Sequence, residues 1–296
     1  MRPALLLSLL LLSHGAAAAE RHPVLGVVLE VDRAHGRFVV SHQDIPGFMD
    51  AMVMPFTVRD PRQLEGIAAG AMVDFTLVVD EDSVVADEVR LHHFVSGETQ
   101  PMNAARLKLV ETLTRTGPAV KPLDAGQAVP DFTLVDQDKR SVTFSQFGGK
   151  VVALSFMYTK CRLANYCFRL SNNLGLLKKR FAEQLGRDLV LLTVTFDPLN
   201  DKPKVLAEYA RNWKADGVGW RFLTGPEADV QRVCHQFGMN FWPDMGMLTH
   251  TMRTVVIGRD GRVAANLEGN EFTAQQLGDL VQSVLDRRST DASPRH

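Results

Sequence analysis

The sequence predicts two folded domains of different class: a small all-β barrel over residues 24 to 95 and an α/β domain over residues 128 to 287. Two patterns predict this. In the first stretch, short β-branched runs follow one another with only turn residues between them. In the second, apolar strand runs alternate with helix-like segments. Length agrees, because 296 residues can build two separate cores. A composition of 45% hydrophobic and 23% charged residues is that of a globular protein. A formal net charge of -1 leaves no electrostatic footprint for bulk nucleic-acid binding.

The chain opens with MRPALLLSLLLLSHGAAAAE. Arg2 gives a positive start, Leu5 to Leu12 form an apolar run broken only by Ser8, and Ala16 to Ala19 suit cleavage. This predicts a signal peptide over residues 1 to 19 and a periplasmic protein, the alternative being a retained membrane anchor. The run is short for a bilayer span, and no later stretch is long and apolar enough for one. No cysteine follows it to carry a lipid anchor.

In the barrel region, VLGVVLEVD, RFVVSH, MVDFTLVVD and SVVADEVRLHHFV read as strands. Ala34-His35-Gly36 and Asp80-Glu81-Asp82 punctuate them. Residues 96 to 127 read as a linker, with Met102, Leu107, Val110 and Leu113 spaced for a short amphipathic helix before a Gly- and Pro-rich tract. Beyond it, VVALSFMY and DLVLLTVTF are buried-strand runs, and Arg169 to Leu185 is helical in character. A further helix runs from Lys204 to Trp213 behind Pro203. WRFLTG, TVVIG and RVAANLE supply three more strands, the last two flanking an Arg259-Asp260-Gly261 hairpin turn. Thr273 caps a closing helix that ends at Asp286, and residues 288 to 296 form a tail. Strands alternating with helices, then a hairpin and a last helix, predict a thioredoxin-like sheet. Residues 20 to 95 hold 13 acids and 6 bases and residues 128 to 296 hold 18 acids and 22 bases, so the domains carry opposite net charge.

Only three cysteines occur, Cys161, Cys167 and Cys234, too few for a disulfide scaffold. Cys161 follows VVALSFMY at a strand-to-helix turn, with Cys167 six residues on and Lys160, Arg162 and Arg169 close by. A helix N-terminus and neighbouring cations both stabilise a thiolate. Two such thiolates can form a disulfide, work as a redox pair or grip a soft metal, Cu(I) being the softest common candidate. Their spacing fits neither a thioredoxin motif nor the usual zinc patterns. Cys234, in VQRVCHQFG, is expected to be a core or half-buried thiol. In the barrel, Met49, Met52 and Met54 fall close together, downstream of His42. On a strand Met52 and Met54 share one face. Two thioethers and an imidazole suit Cu(I) or Ag(I), and the same methionines could instead pack a barrel interior.

Four blocks, FMYTKCRLANYCFRLSNNL, TVTFDPLNDKPKVLAEYA, WRFLTGPEADVQRVCHQFGM and LTHTMRTVVIGRDGRV, resemble the Sco/SenC family in order and spacing, over residues 128 to 287. The resemblance implies a copper site of Cys161, Cys167 and His250, with Asp197 of Asp197-Pro198 in support. The usual family motif places three residues between the cysteines, with prolines around them; CRLANYC has five and no proline. The stretch GVVLEVDRAHGRFVVSHQDIPGFMDAMVMPFTV looks like a CusF-like periplasmic copper-binding domain, an OB-like barrel. That resemblance implies His42, Met52 and Met54 as ligands. Phe48 or Met49 occupies the position of the tryptophan that covers the metal in that family, and Met49 is a candidate fourth ligand.

Together the two resemblances imply a copper metallochaperone. It would take Cu(I) on the His/Met site and pass it through the Cys/Cys/His site, where Cu(II) is also possible. The recipient would be an exported or membrane copper enzyme, such as an oxidase subunit. The alternative is an enzyme, a thiol-disulfide oxidoreductase in which Cys161 and Cys167 keep partner cysteines reduced without need of His250. A copper sensor or buffer is a third class.

Overall fold

The structure is a computed structural model that describes residues 19–81, 83–94, 121–161, 168–215, 219–244 and 247–287. The apolar leader, the expected linker helix, Cys167 and the tail lie outside them. Among the described residues no helix is long and apolar enough to cross a membrane.

The first domain is one antiparallel sheet of β1 (Glu20–Asp32), β2 (Arg37–His42), β3 (Met52–Thr57), β4 (Met72–Val79) and β5 (Val84–Leu91), in the order β3-β2-β1-β4-β5. The sheet curls until Val58, just past β3, bridges Ala86 of β5. This makes an open barrel. Phe38, Phe56 and Phe75 fill it, with ring centroids 4.9 to 5.9 Å apart. Gly36, at φ +60°, turns β1 into β2.

The second domain is a seven-stranded sheet in the order β14-β13-β8-β9-β10-β6-β7. Its strands are β6 (Thr133–Asp136), β7 (Ser141–Thr143), β8 (Val151–Met157), β9 (Leu189–Thr195), β10 (Trp220–Thr224), β13 (Arg253–Ile257) and β14 (Val263–Glu268). A separate hairpin pairs β11 (Phe241–Asp244) with β12 (Met247–His250). Helices α1 (Arg169–Arg180), α2 (Pro203–Asn212), α3 (Glu227–Gln236) and α4 (Ala274–Asp286) complete a thioredoxin-like fold. β8, β9 and β10 run parallel. Every residue of β8 and β9 is buried, which is why both read as unbroken apolar runs. The helix expected to reach Leu185 stops at Arg180; Phe181 closes it through its amide on the Leu177 carbonyl, and a separate turn carries the chain to Gly186, at φ +82°.

The domains share a core. Val24 and Val28 of β1 point into the barrel, while Val27, Leu29 and Met72 join the apolar cluster of the α/β domain. β1 is therefore apolar on both faces, so VLGVVLEV alternates only weakly. Polar contacts border this seam. Ser41 Oγ donates to Asp279 Oδ2 at 2.7 Å, and Arg180 holds the other oxygen of Asp279. Apart from His92 and Glu271, the side-chain contacts described between the domains pair a charged group with a neutral one or two neutral groups, so the opposite net charges contribute little through direct ion pairs.

One contact titrates. His92 stands between Asp74 of the barrel at 2.8 Å and Glu271 of the α/β domain at 2.5 Å. Burial pulls its pKa down, but the hydrogen bonds and charges of Glu271 and Asp74 together outweigh that and raise it. A raised folded pKa gives stability that is full below the unfolded value near 6.5 and is lost as pH rises through the folded value. The destabilisation caused by His92→Gln, read from unfolding midpoints, is therefore expected to be larger at about pH 6 than at about pH 9. An equal loss at both would show that the imidazolium does not bridge the domains.

Candidate metal centre

The cysteine turn lies at the carboxyl end of β8, beside the carboxyl end of β9, where open α/β sheets present ligand sites. After Met157 the chain passes Tyr158 and Thr159, and the Cys161 amide donates to the Tyr158 carbonyl at 3.2 Å. Cys161 is half-buried against the core. Beneath the turn sits Asp201, fully buried. It accepts from the Thr159 amide at 3.0 Å, from the Thr159 hydroxyl, and from Thr195 Oγ1 at 2.5 Å. Burial pushes its pKa up, Thr159 and Thr195 draw it down, and the charge of Asp197 adds to the rise.

Asp201, which the sequence alone does not single out, thus ties the loop after β9 to the cysteine turn. The Asp197 carboxylate instead accepts from Asn200 Nδ2 at 3.0 Å. Asn200 Oδ1 accepts from Lys160 Nζ at 2.6 Å, so Asp197 supports the turn at one remove. The signal for Asp201 was a second acid in DPLND, four residues after the first.

His250 ends β12, opposite Phe241, on a hairpin of its own ahead of β13. Its Nδ1 lies 2.7 Å from the Thr251 carbonyl. A carbonyl only accepts, so Nδ1 carries the proton of the neutral ring. The ring rests on Phe196 at 4.7 Å and on the edge of Tyr158 at 6.1 Å. Cys161 and His250 therefore meet at one residue, Tyr158, which braces the ring and closes the turn.

In the barrel, His42 pairs directly with Met52, Val40 with Met54, and Phe38 with Phe56. Alternation puts all six on one face. That face runs from buried aromatics, through buried Val40 and half-buried Met54, to His42 and Met52 at the barrel mouth. Met52 is 45% exposed, whereas His42 is fully buried. His42 Nδ1 lies 2.7 Å from the Gln43 carbonyl, and its buried Nε2 has no hydrogen-bond partner. An orphaned buried lone pair is costly, and a soft cation held with the adjacent thioether would satisfy it. Met49 is half-buried against the barrel core, brought back by a bridge to Ile45. Phe48 stacks on His22 at 4.2 Å, so this aromatic is engaged at the barrel rim.

Among the described residues no three His, Cys, Asp or Glu side chains form a metal-holding group. The donor sets expected from the sequence also call on methionine sulfur and on Cys167, the latter outside the described residues. Cys234 is a core thiol as expected, and burial pushes its pKa far above the ordinary range.

The fold and its side chains define a thioredoxin-like protein with a cysteine turn, preceded by a β-barrel with imidazole and thioether groups at its mouth. Residues 120–286 match the SCO1/SenC family, and the chain belongs to that family. Residues 21–90 match the family described as copper binding periplasmic protein CusF, so copper is the metal indicated by both the donors and the family match. The chain is 28% identical over 164 residues to the SCO1 protein homolog of Bacillus subtilis, covering 53% of this chain and 80% of that protein. It is 25% identical over 174 residues to peroxiredoxin Bcp of Escherichia coli, covering 56% and 97%. A crystallised protein of Aquifex aeolicus VF5 shares the fold, with a TM-score of 0.50 at 22% identity over 58% of this chain and 99% of its own.

Proposed function

We propose that the protein is an exported copper metallochaperone. It takes up Cu(I) on His42, Met52 and Met54, with Met49 as a further donor. It then holds the ion on Cys161, Cys167 and His250 for delivery to an exported copper enzyme, such as an oxidase subunit. The observation that carries this reading is the matched state of the two histidines. On unrelated folds, each commits Nδ1–H to the carbonyl of the next residue, the tautomer in which Nε2 is the nitrogen able to ligate a metal. Copper is the cargo, and the chemistry follows from the donors. Thioethers carry no proton to lose, so the methionine donors of the barrel bind Cu(I) without competition from protons. Thiolates bind Cu(I) more strongly, but each cysteine thiol must give up its proton to become one. Passage from thioether to thiolate is therefore downhill and releases protons.

Anaerobic Cu(I) titration with metal counting tests the reading. Cys161→Ala is expected to lower the copper bound per chain while the methionine site stays loaded. Equal copper content in wild type and variant would overturn the assignment. The second reading, a thiol-disulfide oxidoreductase, draws on the half-exposed Cys161 at the mouth of a thioredoxin-like sheet. It requires no His250, so disulfide reduction retained by His250→Ala, with copper binding lost, would favour it.

A further inference from the structure

We propose that Gln276, in the α/β domain, is a positioning residue for the copper site of the barrel. The proposal rests on His42 being a ligand there. Gln276 lies in the first turn of α4 and is almost fully buried. Its Oε1 accepts from the Thr273 amide at 3.0 Å, completing the capping box that starts the helix. The same oxygen accepts from Gln43 Nε2 at 3.2 Å, and Gln276 Nε2 donates to the Ser41 carbonyl at 2.9 Å. One buried amide therefore grips both neighbours of His42. Gln43 also donates to the Glu271 carbonyl at 2.9 Å, and its own carbonyl takes His42 Nδ1.

The grip extends round the metal loop. Gln275 Nε2 donates at 3.2 Å to the carbonyl of Ala51, the residue before Met52. Both strands that carry the donors are thus fastened to one helical turn of the other domain. The loop leading into that turn is also tied to α1, the helix following the cysteine loop, because the Glu271 carbonyl accepts from Arg169 Nη2 at 3.3 Å. Partners that fix a ligating histidine's tautomer and orientation govern affinity as well as shape. Linkage makes the effect reciprocal: copper on His42 tightens the first turn of α4.

The test is competition between the protein and a colorimetric Cu(I) chelator under anaerobic conditions, in a Cys161→Ser background that leaves the barrel site to be read. Gln276→Ala is expected to weaken Cu(I) binding by about tenfold or more. Gln43→Met keeps its volume, loses both donor contacts, and serves should the first variant fold poorly. With Cys161 intact, the thiolate-to-copper absorption band is expected to be unchanged in both variants. Exchange of the Gln276 amide is expected to slow when Cu(I) is added to the parent. A purely structural role would lower the thermal midpoint without changing barrel affinity. Affinities within about twofold of the parent for both variants would overturn the proposal. Parallel titration of His42→Ala separates the two levels. If it binds as much copper as the parent, the ligand assignment itself is wrong; if its copper falls while the Gln variants match the parent, only the positioning role is.

Discussion

Asp201→Ala is expected to lower stability by about 3 kcal/mol and to weaken copper at the cysteine turn by about tenfold. The carboxylate is buried and takes three hydrogen bonds, two from Thr159 and one from Thr195. Its removal leaves the Thr159 amide without that acceptor inside the protein, and the two hydroxyls must find others. The turn that carries Cys161 is then held from one side only. Burial offsets part of this, because a buried carboxylate resists ionising, and that is the source of its raised pKa. The sign follows. A raised folded pKa means that the contribution is full below the unfolded value and declines as pH rises through the folded one. Denaturant unfolding should therefore show a larger loss in the variant near pH 4 than near pH 7. Asp201→Asn keeps the volume and two acceptor positions and should recover part of the loss. Asp197→Ala, whose partner Asn200 is exposed, should move stability much less. Equal effects at positions 197 and 201 would contradict the assignment of the buried support to Asp201.

The contrast between these two aspartates shows where the sequence stops being legible. The buried runs of β8 and β9, the Thr273 cap and the shared face of Met52 and Met54 are all written locally, in hydrophobic period or side-chain chemistry. The choice between Asp197 and Asp201 depends on which acid turns beneath a strand end, and both sit in one loop with no period to read. The β11–β12 hairpin is not legible because strands of four residues are too short for an alternation signal. The polar contacts of the domain seam are illegible for another reason. Gln43 and Gln276 stand 233 positions apart, and a pair of glutamines that distant leaves no local trace. The apolar side of the seam was visible only as a blurred pattern in β1, where the outward face is buried by the second domain.

Gly70→Ala is expected to separate the unfolding of the two domains. Gly70 lies in the turn before β4, at φ +84°. A Cβ there falls 2.2 Å from Ala265 Cβ and 2.9 Å from Ala265 Cα, on β14 of the other domain. These atoms have no rotamer by which to move aside. The turn cannot retreat cheaply either, since the Gly70 amide donates to the Val28 carbonyl at 2.7 Å and the Val28 amide to Ala71 at 2.9 Å. Relief must come from parting the domains, which exposes Val27, Leu29 and Met72. Left-handed strain of about 1–2 kcal/mol and overpacking of about 1–3 kcal/mol together predict a loss of about 2–5 kcal/mol. Calorimetry should resolve the barrel melting ahead of the α/β domain, whose core is the larger. Gly66→Ala is the control: its φ is +76°, yet nothing lies within 4 Å of a Cβ there, so it incurs the backbone strain alone. If both variants melt in one transition with equal losses, the contact with Ala265 is not what couples the domains. If Gly70→Ala alone splits the transition, the seam that fastens the methionine loop to α4 depends on one residue lacking a side chain.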